Sequence, residues 1–564
     1  MSRQGLTGAV GLAHIEQVAT PTRDGVLLVA DVYRPPSGRV PTLLLRTPYG
    51  RRNLPDLLGE VEVDPLLAVR RGFAVMIQDL RGRNDSGGDF APFMSDDVDC
   101  ADTVAWIRKQ PWSDGRVATV GASYNGLVQY PGARARPEGL CAVAPTASGR
   151  ADLVLRAGGA LRLWLLTGWA ELLLADALAE HPDAAVRSEI ENLFEASPLE
   201  RFNAFFEHGS AMSVFAGSLL RWVLPPSDQY WTEVVGPPQR PLPAMHTTGY
   251  YDLCLQATVE AYAAWNAAGD PSAPQMLTLG PWDHMRAAPY ADLGLLGSKV
   301  PPPIMAFERQ LEFFCGLLGM PAADQVAPVM SFVLGRNRWH EDVTWPPHGV
   351  STVEMPLGVS EQADGQLNLV AAGEKRTVDY TYDPRNPVPT MGGAVSVWEL
   401  AGPIEQARVE SREDVLTFTS GGFEAELEIA GSPVASLLLA SSAPASDFIA
   451  RLTVVKDDGR SLPLVHGIWS GHLADLPSAA SHAPYRRCEI ELGPVHFVLA
   501  PGERLRLQVT SSCYPDIYPN PNTGHDLATG PPPSVQVAKQ SLLVGAAGTS
   551  VLRLPLLGEM PCEA

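Results

Sequence analysis

Residues 117–126 read Val-Ala-Thr-Val-Gly-Ala-Ser-Tyr-Asn-Gly, and this stretch decides the fold. The run from Val117 to Gly121 is short, apolar and followed by turn residues, which is typical of a buried parallel strand. Ser123 comes directly after it, and Gly126 follows three positions later. Small side chains allow a tight strand-to-helix turn to close. The pattern therefore predicts a serine hydroxyl that is exposed above the edge of a sheet.

This turn resembles a nucleophile elbow, Gly-x-Ser-x-Gly, with its second glycine displaced by one position. The pattern Gly-x-Ser-x-x-Gly by itself also fits an ordinary loop of small residues. Its position at the end of a predicted buried strand favours a functional Ser123, with the backbone N–H of Tyr124 beside the hydroxyl.

The flanking sequence alternates strand and helix patterns. Short apolar runs occur at Thr42–Leu45, Phe73–Ile77 and Leu140–Ala144. Residues 96–110 have the acidic first turn and the apolar stripe of a helix, which Pro111 ends. This order predicts an α/β domain with a parallel sheet.

The α/β pattern is interrupted and then completed. Residues 151–240 contain Leu-, Ala- and Glu-rich runs with helical spacing. Short apolar strand patterns resume at Leu242–Thr248 and Gln275–Leu279, with a helical stretch at Cys254–Ala268 between them. We predict an α/β domain made of residues 1–150 and 241–345, with residues 151–240 inserted as a helical unit.

Beyond about residue 345 the patterns are those of β-structure. Phe423–Ala430 and Leu505–Thr510 alternate between apolar and polar residues, and Asp458-Gly459 between two apolar runs is a hairpin signal. We predict that residues 346–564 form an all-β sandwich, of the jelly-roll type.

A serine hydroxyl is a poor nucleophile near neutral pH and needs a general base. His284 is the best candidate, since it follows a predicted strand in Gly-Pro-Trp-Asp-His at 280–284. His246 is its rival, but it falls within a predicted strand, where a structural role is expected. Asp252 also follows a strand and could orient the imidazole, or it could merely cap the next helix. Asp283 competes for that role, but adjacent residues rarely point at each other.

Motifs along nearly the whole chain resemble the cocaine esterase and X-prolyl dipeptidyl peptidase group of α/β-hydrolases, above all its bacterial acyl esterases. The motifs are Arg23-Asp24-Gly25-Val26, Ala30-Asp31-Val32-Tyr33-Arg34-Pro35, Arg46-Thr47-Pro48-Tyr49, Gln78-Asp79-Leu80-Arg81-Gly82, Gly121-Ala122-Ser123-Tyr124, Gly249-Tyr250-Tyr251-Asp252, Gly280-Pro281-Trp282-Asp283-His284, Tyr382-Asp383-Pro384, Pro387-Val388-Pro389-Thr390 with Gly392-Gly393, and Asn520-Pro521-Asn522-Thr523-Gly524. Together they are highly specific.

The resemblance implies specific roles for the candidate residues. Ser123 would be the nucleophile, His284 the base and Asp252 its orienting acid. The oxyanion hole would consist of the Tyr124 N–H and the Tyr49 phenol. The alternative for Tyr49 is an aromatic side chain that only packs at the rim.

The resemblance also implies that residues 151–240 form a helical cap over the site, and that the jelly roll helps to wall it. Trp164, Trp169 and Trp231 are then candidate pocket aromatics, although aromatic residues at helical spacing are more often core. We expect no metal and no other cofactor, since the zinc motif His-Glu-x-x-His, a Walker loop and Rossmann glycines are all missing from the sequence.

One departure from the group concerns the substrate amine. Enzymes that act on α-amino esters are expected to bind the ammonium with carboxylates, some of them just after the acid of the triad. Here Leu253, Cys254, Leu255 and Gln256 follow Asp252. The six aspartates between Asp85 and Asp102 are more simply a polar loop and a helix N-terminus.

The composition excludes some partners. The 564 residues include 42 Lys and Arg against 63 Asp and Glu, a net charge of −21, which argues against nucleic acids and anionic membranes. Seven cysteines without a Cys-x-x-Cys pair, and an N-terminus that lacks a signal pattern, favour a cytoplasmic protein. Whether the chain forms a homodimer stays open.

The leading hypothesis is a serine hydrolase that cleaves carboxylic esters of small organic molecules through an acyl-enzyme on Ser123. One alternative is an X-Pro dipeptidyl peptidase or an amide-cleaving acylase. Another is an acyltransferase or lactone-processing enzyme of specialised metabolism with the same triad. The last is a non-catalytic binding protein, since a fold alone does not fix a function.

Overall fold

The computed structural model describes residues 8–10, 13–53, 63–179, 184–207, 240–285, 304–322, 326–360, 365–371, 373–479 and 484–562. In chain order, the first thirteen strands are β1 Gly8–Val10, β2 Ala13–Pro21, β3 Leu27–Arg34, β4 Val40–Thr47, β5 Ala74–Asp79, β6 Ser113–Ala122, β7 Leu140–Thr146, β8 Arg156–Ala157, β9 Ala160–Leu161, β10 Ala244–Tyr251, β11 Gln275–Asp283, β12 Val329–Val333 and β13 Arg338–Asp342.

Within these ranges, eleven of the thirteen strands form one sheet in the order β1-β2-β3-β5-β4-β6-β7-β10-β11-β12-β13. Neighbours from β5 to β12 in this order run parallel. Strands β4, β5 and β6 are almost wholly buried, which explains their unbroken apolar runs. The structure therefore confirms the predicted α/β domain with a parallel sheet.

Several helices contact this sheet. In chain order, the helices are α1 Pro65–Arg70, α2 Asp96–Ile107, α3 Tyr124–Leu127, α4 Gln129–Ala135, α5 Ala151–Leu155, α6 Leu163–Ala179, α7 Ala184–Phe194, α8 Pro198–Ala204, α9 Leu255–Asn266, α10 Ile304–Leu317 and α11 Ala407–Glu410. Three short 3₁₀ turns lie at Trp398–Leu400, Leu473–Asp475 and Leu527–Thr529. Among the helices in the described ranges, none combines the length and apolar character that a membrane crossing requires.

The C-terminal part is built from strands. They are β14 Val350–Val359, β15 Gly365–Leu367, β16 Arg376–Tyr382, β17 Leu416–Thr419, β18 Leu427–Gly431, β19 Val434–Ser441, β20 Ala445–Val455, β21 Ser461–His472, β22 Arg486–Glu491, β23 Val495–Leu499, β24 Arg504–Thr510, β25 Ala538–Val544 and β26 Val551–Leu557. The predicted hairpin at Asp458-Gly459 joins β20 to the antiparallel β21. The jelly-roll type stays a prediction.

One strand prediction was too long. Phe423–Ala430 was expected to be continuous, but β18 begins only at Leu427. The Phe423 ring is fully buried, and its backbone carbonyl accepts from Gly502 at 2.9 Å. Glu424 donates to the Cys562 carbonyl at 2.9 Å. Phe423 forms only an isolated bridge, and Ala425 is exposed, so the apolar alternation does not continue as a strand between Phe423 and Leu427.

The β8–β9 hairpin packs directly on the C-terminal strands. A Cβ at Gly158, in the turn of the β8–β9 hairpin, would lie 1.7 Å from the Ile468 carbonyl oxygen on β21. Ser470 on the same strand donates its N–H to the Gly158 carbonyl at 2.9 Å. Glycine is therefore required at this contact.

Candidate active site

Ser123 lies on the sharp turn between β6 and α3. Its backbone has φ 57° and ψ −124°, a strained conformation for a residue with a side chain. A Cβ at Gly121 would lie 2.7 Å from the Asn125 Cβ, and one at Gly126 would lie 2.9 Å from the Thr146 carbonyl oxygen. The small residues of the predicted elbow are thus required sterically.

The three candidate residues form a hydrogen-bonded chain. His284 Nε2 lies 3.1 Å from the Ser123 Oγ, and its Nδ1 lies 3.0 Å from the Asp252 Oδ1. With the hydrogen on Nδ1, His284 donates to Asp252 and accepts from the Ser123 hydroxyl. The structure brings together these three residues, and we refer to them as the Ser–His–Asp chain.

A β-bulge sets the register that places Asp252 beside His284. Along β10 and β11, Gly249 pairs with Gly280, but Tyr251 pairs with Asp283, so β11 carries one extra residue. Asp252 directly follows β10 and His284 directly follows β11, so this register brings the two residues side by side. A Cβ at Gly249 would lie 2.1 Å from the Trp282 carbonyl oxygen, so the bulge depends on this glycine.

Two effects compete at His284. Burial disfavours the imidazolium and by itself would lower the pKa of His284, whose side chain is almost fully enclosed. The carboxylates of Asp252 and, more weakly, Asp283 favour it, and the net result is a pKa of His284 above its ordinary value. The carboxylates together therefore outweigh the effect of burial, and they stabilise the imidazolium that a general base forms when it takes a proton.

The rival His246 is buried in β10 among aromatic rings. Its Nδ1 lies 3.4 Å from the Tyr130 hydroxyl, and the Trp265 ring contacts it edge-on. Burial lowers the pKa of His246 to about 4. It is a neutral core histidine, which fits the structural role predicted for it.

A cavity of about 60 Å³ opens at Ser123, and its wall is almost entirely apolar. Its lining residues are Tyr49, Phe93, Ser123, Tyr124, Leu127, Ala147, Ser148, Gly149, Ala151, Val154, Leu155, Leu165, Trp169 and Cys254. None of these described residues carries a carboxylate. Both predicted oxyanion residues, Tyr49 and Tyr124, therefore share one cavity with the nucleophile.

Of the three tryptophans predicted to line the pocket, Trp169 does so. Its indole Nε1 donates to the Tyr49 phenol oxygen at 3.2 Å, and its ring stacks on Tyr124 with centroids 5.6 Å apart. Trp164 does not line this cavity; its backbone N–H donates to the Pro515 carbonyl at 3.2 Å. Trp231 lies outside the described residues.

Two aromatic residues at the site carry no signal in the sequence. Trp398, on a 3₁₀ turn of the C-terminal part, stacks on the His284 ring with centroids 5.3 Å apart and planes at 15°. Phe93, at φ 68°, stacks on Tyr124 at 5.0 Å and donates its backbone N–H to the Tyr124 hydroxyl at 3.0 Å. Neither residue belongs to a motif that could have singled it out.

Acidic residues between 85 and 102 pair with arginines, as expected of a structural polar loop. The pairs are Asp85 with Arg51 at 2.7 Å, Asp96 with Arg46 at 3.6 Å, Asp99 with Arg81 at 2.6 Å and Asp102 with Arg23 at 2.9 Å.

A strained serine at the end of a central parallel strand, a histidine and an aspartate after two later strands, and a cavity at the serine define a serine hydrolase with the α/β-hydrolase fold.

Family comparisons agree with this class. Residues 24–286 match the X-Pro dipeptidyl-peptidase (S15 family) model, and residues 321–552 match that of the X-Pro dipeptidyl-peptidase C-terminal non-catalytic domain. The chain is 30% identical to the cocaine esterase of Rhodococcus sp. (strain MB1 Bresler), over 91% of this chain and 93% of that protein. The chain therefore belongs to the X-Pro dipeptidyl-peptidase (S15) family, which confirms the resemblance drawn from the motifs.

Solved structures share the fold over the whole length. An aminopeptidase from the marine sediment archaeon Thaumarchaeota archaeon superposes with a TM-score of 0.78 at 20% identity, covering 99% of both chains. An α-amino acid ester hydrolase superposes with a TM-score of 0.73 at 21% identity, covering 98% of both chains. At these identities the likeness concerns the fold alone.

Proposed function

We propose that the protein hydrolyses carboxylic esters of small organic molecules through an acyl-enzyme on Ser123. The observation that carries this proposal is the Ser–His–Asp chain, with hydrogen-bond distances of 3.1 and 3.0 Å, whose Ser123 lines an apolar cavity. The esterase relative at 30% identity supports the same reaction class.

In the proposed mechanism, the Ser123 oxygen attacks the ester carbonyl carbon while His284 Nε2 takes the hydroxyl proton. Asp252 stabilises the imidazolium that forms. The Tyr124 N–H and the Tyr49 hydroxyl donate to the oxyanion. Trp169 would hold Tyr49 in place, because its indole N–H donates to the phenol oxygen.

His284 then gives its proton to the departing alcohol, and the acyl group stays on Ser123. A water molecule attacks this acyl-enzyme with His284 again as the base, which releases the acid and restores the serine. The apolar wall supports an uncharged, hydrophobic acyl group.

The peptidase alternative fits the family name but needs an anchor for a free amine. Among the described residues that line the Ser123 cavity, none is acidic. This favours esters without an α-amino group over X-Pro peptides and amino-acid esters. An acyltransferase or lactone-processing enzyme would use the same residues with another acceptor than water, and no described contact favours it.

Hydrolysis of p-nitrophenyl esters tests the proposal. Ser123→Ala should abolish turnover, with the folded state checked by circular dichroism. An ester and an X-Pro-arylamide are assayed side by side with the wild-type protein. Full ester turnover by Ser123→Ala would refute the mechanism, and arylamide turnover as fast as ester turnover would favour the peptidase.

The proposal extends to the surroundings of the site. Residues 151–240 would form the cap, residues 1–150 with 241–345 the catalytic domain, and residues 346–564 a jelly-roll wall. A reducing compartment such as the cytoplasm is supported by the seven cysteines, all of which are free thiols.

A further inference from the structure

Cys254 adds a third metal-binding side chain to the buried end of the Ser–His–Asp chain. Its Sγ, a carboxylate oxygen of Asp252 and a ring nitrogen of His284 all lie within 4.8 Å of one another, and all three residues are buried. The Cys254 backbone N–H also donates to the Asp252 Oδ1 at 2.7 Å, which fixes the two residues relative to each other.

The donor set and spacing suit a zinc ion. Zinc binds sulfur at about 2.3 Å and nitrogen or oxygen at about 2.0–2.2 Å, so the ligand atoms of a tetrahedral site lie about 3.3–3.6 Å apart. The His284 Nδ1 and the Asp252 Oδ1 are already 3.0 Å apart. The Cys254 sulfur, which lies within 4.8 Å of both atoms, would complete the set of three ligands with a small adjustment of its side chain.

The site can be reached and entered. Cys254 lines the same cavity as Ser123, so an ion in that cavity meets the Cys254 side chain first. The Trp398 ring lies nearly parallel to the His284 ring, with planes at 15°, and thus covers a face of the imidazole. Zinc binds imidazole in the ring plane through a nitrogen lone pair, which the stacked ring does not block.

We propose that Asp252, Cys254 and His284 form an inhibitory site for zinc and other thiophilic divalent cations. Binding forms Zn–S, Zn–O and Zn–N bonds. The thiol proton is released to water, and the imidazole hydrogen moves from Nδ1 to Nε2, so His284 stays neutral. With its Nε2 protonated, His284 no longer accepts the Ser123 proton, and acylation stops.

The experiment uses the full chain, stripped of metal with EDTA and transferred to metal-free buffer. ZnCl₂ is titrated while p-nitrophenyl ester hydrolysis is followed, a readout that rests on the proposed function. CdCl₂ is titrated separately against the ultraviolet cadmium–thiolate absorption band, which needs no activity. The variants are Cys254→Ser and Ser123→Ala, and Cys141→Ser on β7 is the matched control because it is a free thiol that does not line the cavity.

We expect zinc to inhibit the wild-type protein and EDTA to restore its activity. Cys254→Ser should need at least about tenfold more zinc relative to its own metal-free rate, since even the loss of an outer partner of a metal ligand costs about 10–100-fold in affinity. Cys141→Ser should respond like the wild type. Ser123→Ala should keep the cadmium band, and Cys254→Ser should lose it.

Equal zinc sensitivity of Cys254→Ser and the wild type would overturn the site, as would a wild-type protein without the cadmium band. Should Cys254→Ser fail to fold, Cys254→Ala, checked by circular dichroism, takes its place. If the proposed function is wrong, the metal-free wild-type protein shows no ester turnover. The cadmium band still tests whether the metal site exists, so the two failures can be distinguished.

Discussion

Trp398 covers one face of the His284 ring, and we expect its replacement by leucine to weaken the general base. An aromatic face within about 6 Å of a cation stabilises it by about 0.5–1 kcal/mol when exposed and about 2 kcal/mol when desolvated. Here the centroids are 5.3 Å apart and the His284 ring is 8% exposed. We therefore assign about 1–2 kcal/mol to the imidazolium, which corresponds to a loss of about 5- to 30-fold in kcat/KM.

The pH profile separates this effect from a structural one. His284 must be neutral to accept the serine proton, so activity is lost as pH falls through its pKa, which the carboxylates hold above the ordinary value. Without the Trp398 ring the imidazolium is less stable. The acid-side midpoint of kcat/KM should then move down by about 0.7–1.5 pH units.

The assay is p-nitrophenyl ester hydrolysis across pH in EDTA-containing buffer, with Trp398→Leu compared with Trp398→Phe. Phenylalanine keeps an aromatic face, so its effect should be intermediate. Trp106→Leu is the control, because Trp106 is a half-buried tryptophan of α2 that packs against a separate hydrophobic cluster of the sheet. A Trp398→Leu protein with an unchanged midpoint and kcat/KM within about twofold of the wild type would refute the reasoning.

Three further predictions concern the same site. Asp252→Asn should lower kcat by about 10⁴, because the amide favours the wrong tautomer of His284. Steady-state kinetics measures this loss, and an unchanged thermal midpoint shows that the variant is folded. Gly249→Ala should lower the thermal midpoint and remove most of the activity, because its Cβ would lie 2.1 Å from a carbonyl oxygen. Gly168→Ala on α6 is the control and should cause no loss of stability, since its Cβ would have nothing within 4 Å. Tyr49→Phe should reduce kcat by about 10²–10³ with little change in KM, and equal kcat values would remove the phenol from the oxyanion hole.

The sequence predicted the parts of the site that depend on local chain geometry. The small residues around Ser123 indicate a closed turn, and the runs before Asp252 and His284 indicate strands that end at one edge of the sheet. In the parallel order β6-β7-β10-β11, those ends must meet. The predicted residues therefore lie within hydrogen-bond distance.

The choice between Asp252 and Asp283 could be argued from the sequence, but the sequence alone does not decide it. It depends on the extra residue in β11, which no alternation pattern shows. Without that bulge, the register of Gly249 with Gly280 would continue and Asp252 would face Asp283. The steric requirement for glycine at 249 becomes visible only when the Trp282 carbonyl is placed beside it.

Trp398 and Phe93 could not be predicted, because each acts through a distant partner. Trp398 is 114 positions from His284 in the numbering of the chain, and its turn has no periodicity to interpret. Phe93 adopts positive φ, which a bulky residue does only when its surroundings require it. Here the Tyr124 hydroxyl and ring supply that requirement.

The C-terminal part matches a model described as non-catalytic, yet one buried carboxylate connects it to both walls of the site. Asp516 is fully buried; it accepts the Ser396 N–H at 2.8 Å, two residues before Trp398, and pairs with Arg162 at 3.0 Å. Arg162 directly precedes α6, the helix that carries Trp169. Removing one partner of a buried pair costs about 3–5 kcal/mol. Asp516 therefore links the segment that leads to Trp398 with the start of the helix that carries Trp169, so this carboxylate of the C-terminal part contacts two segments that reach the active site.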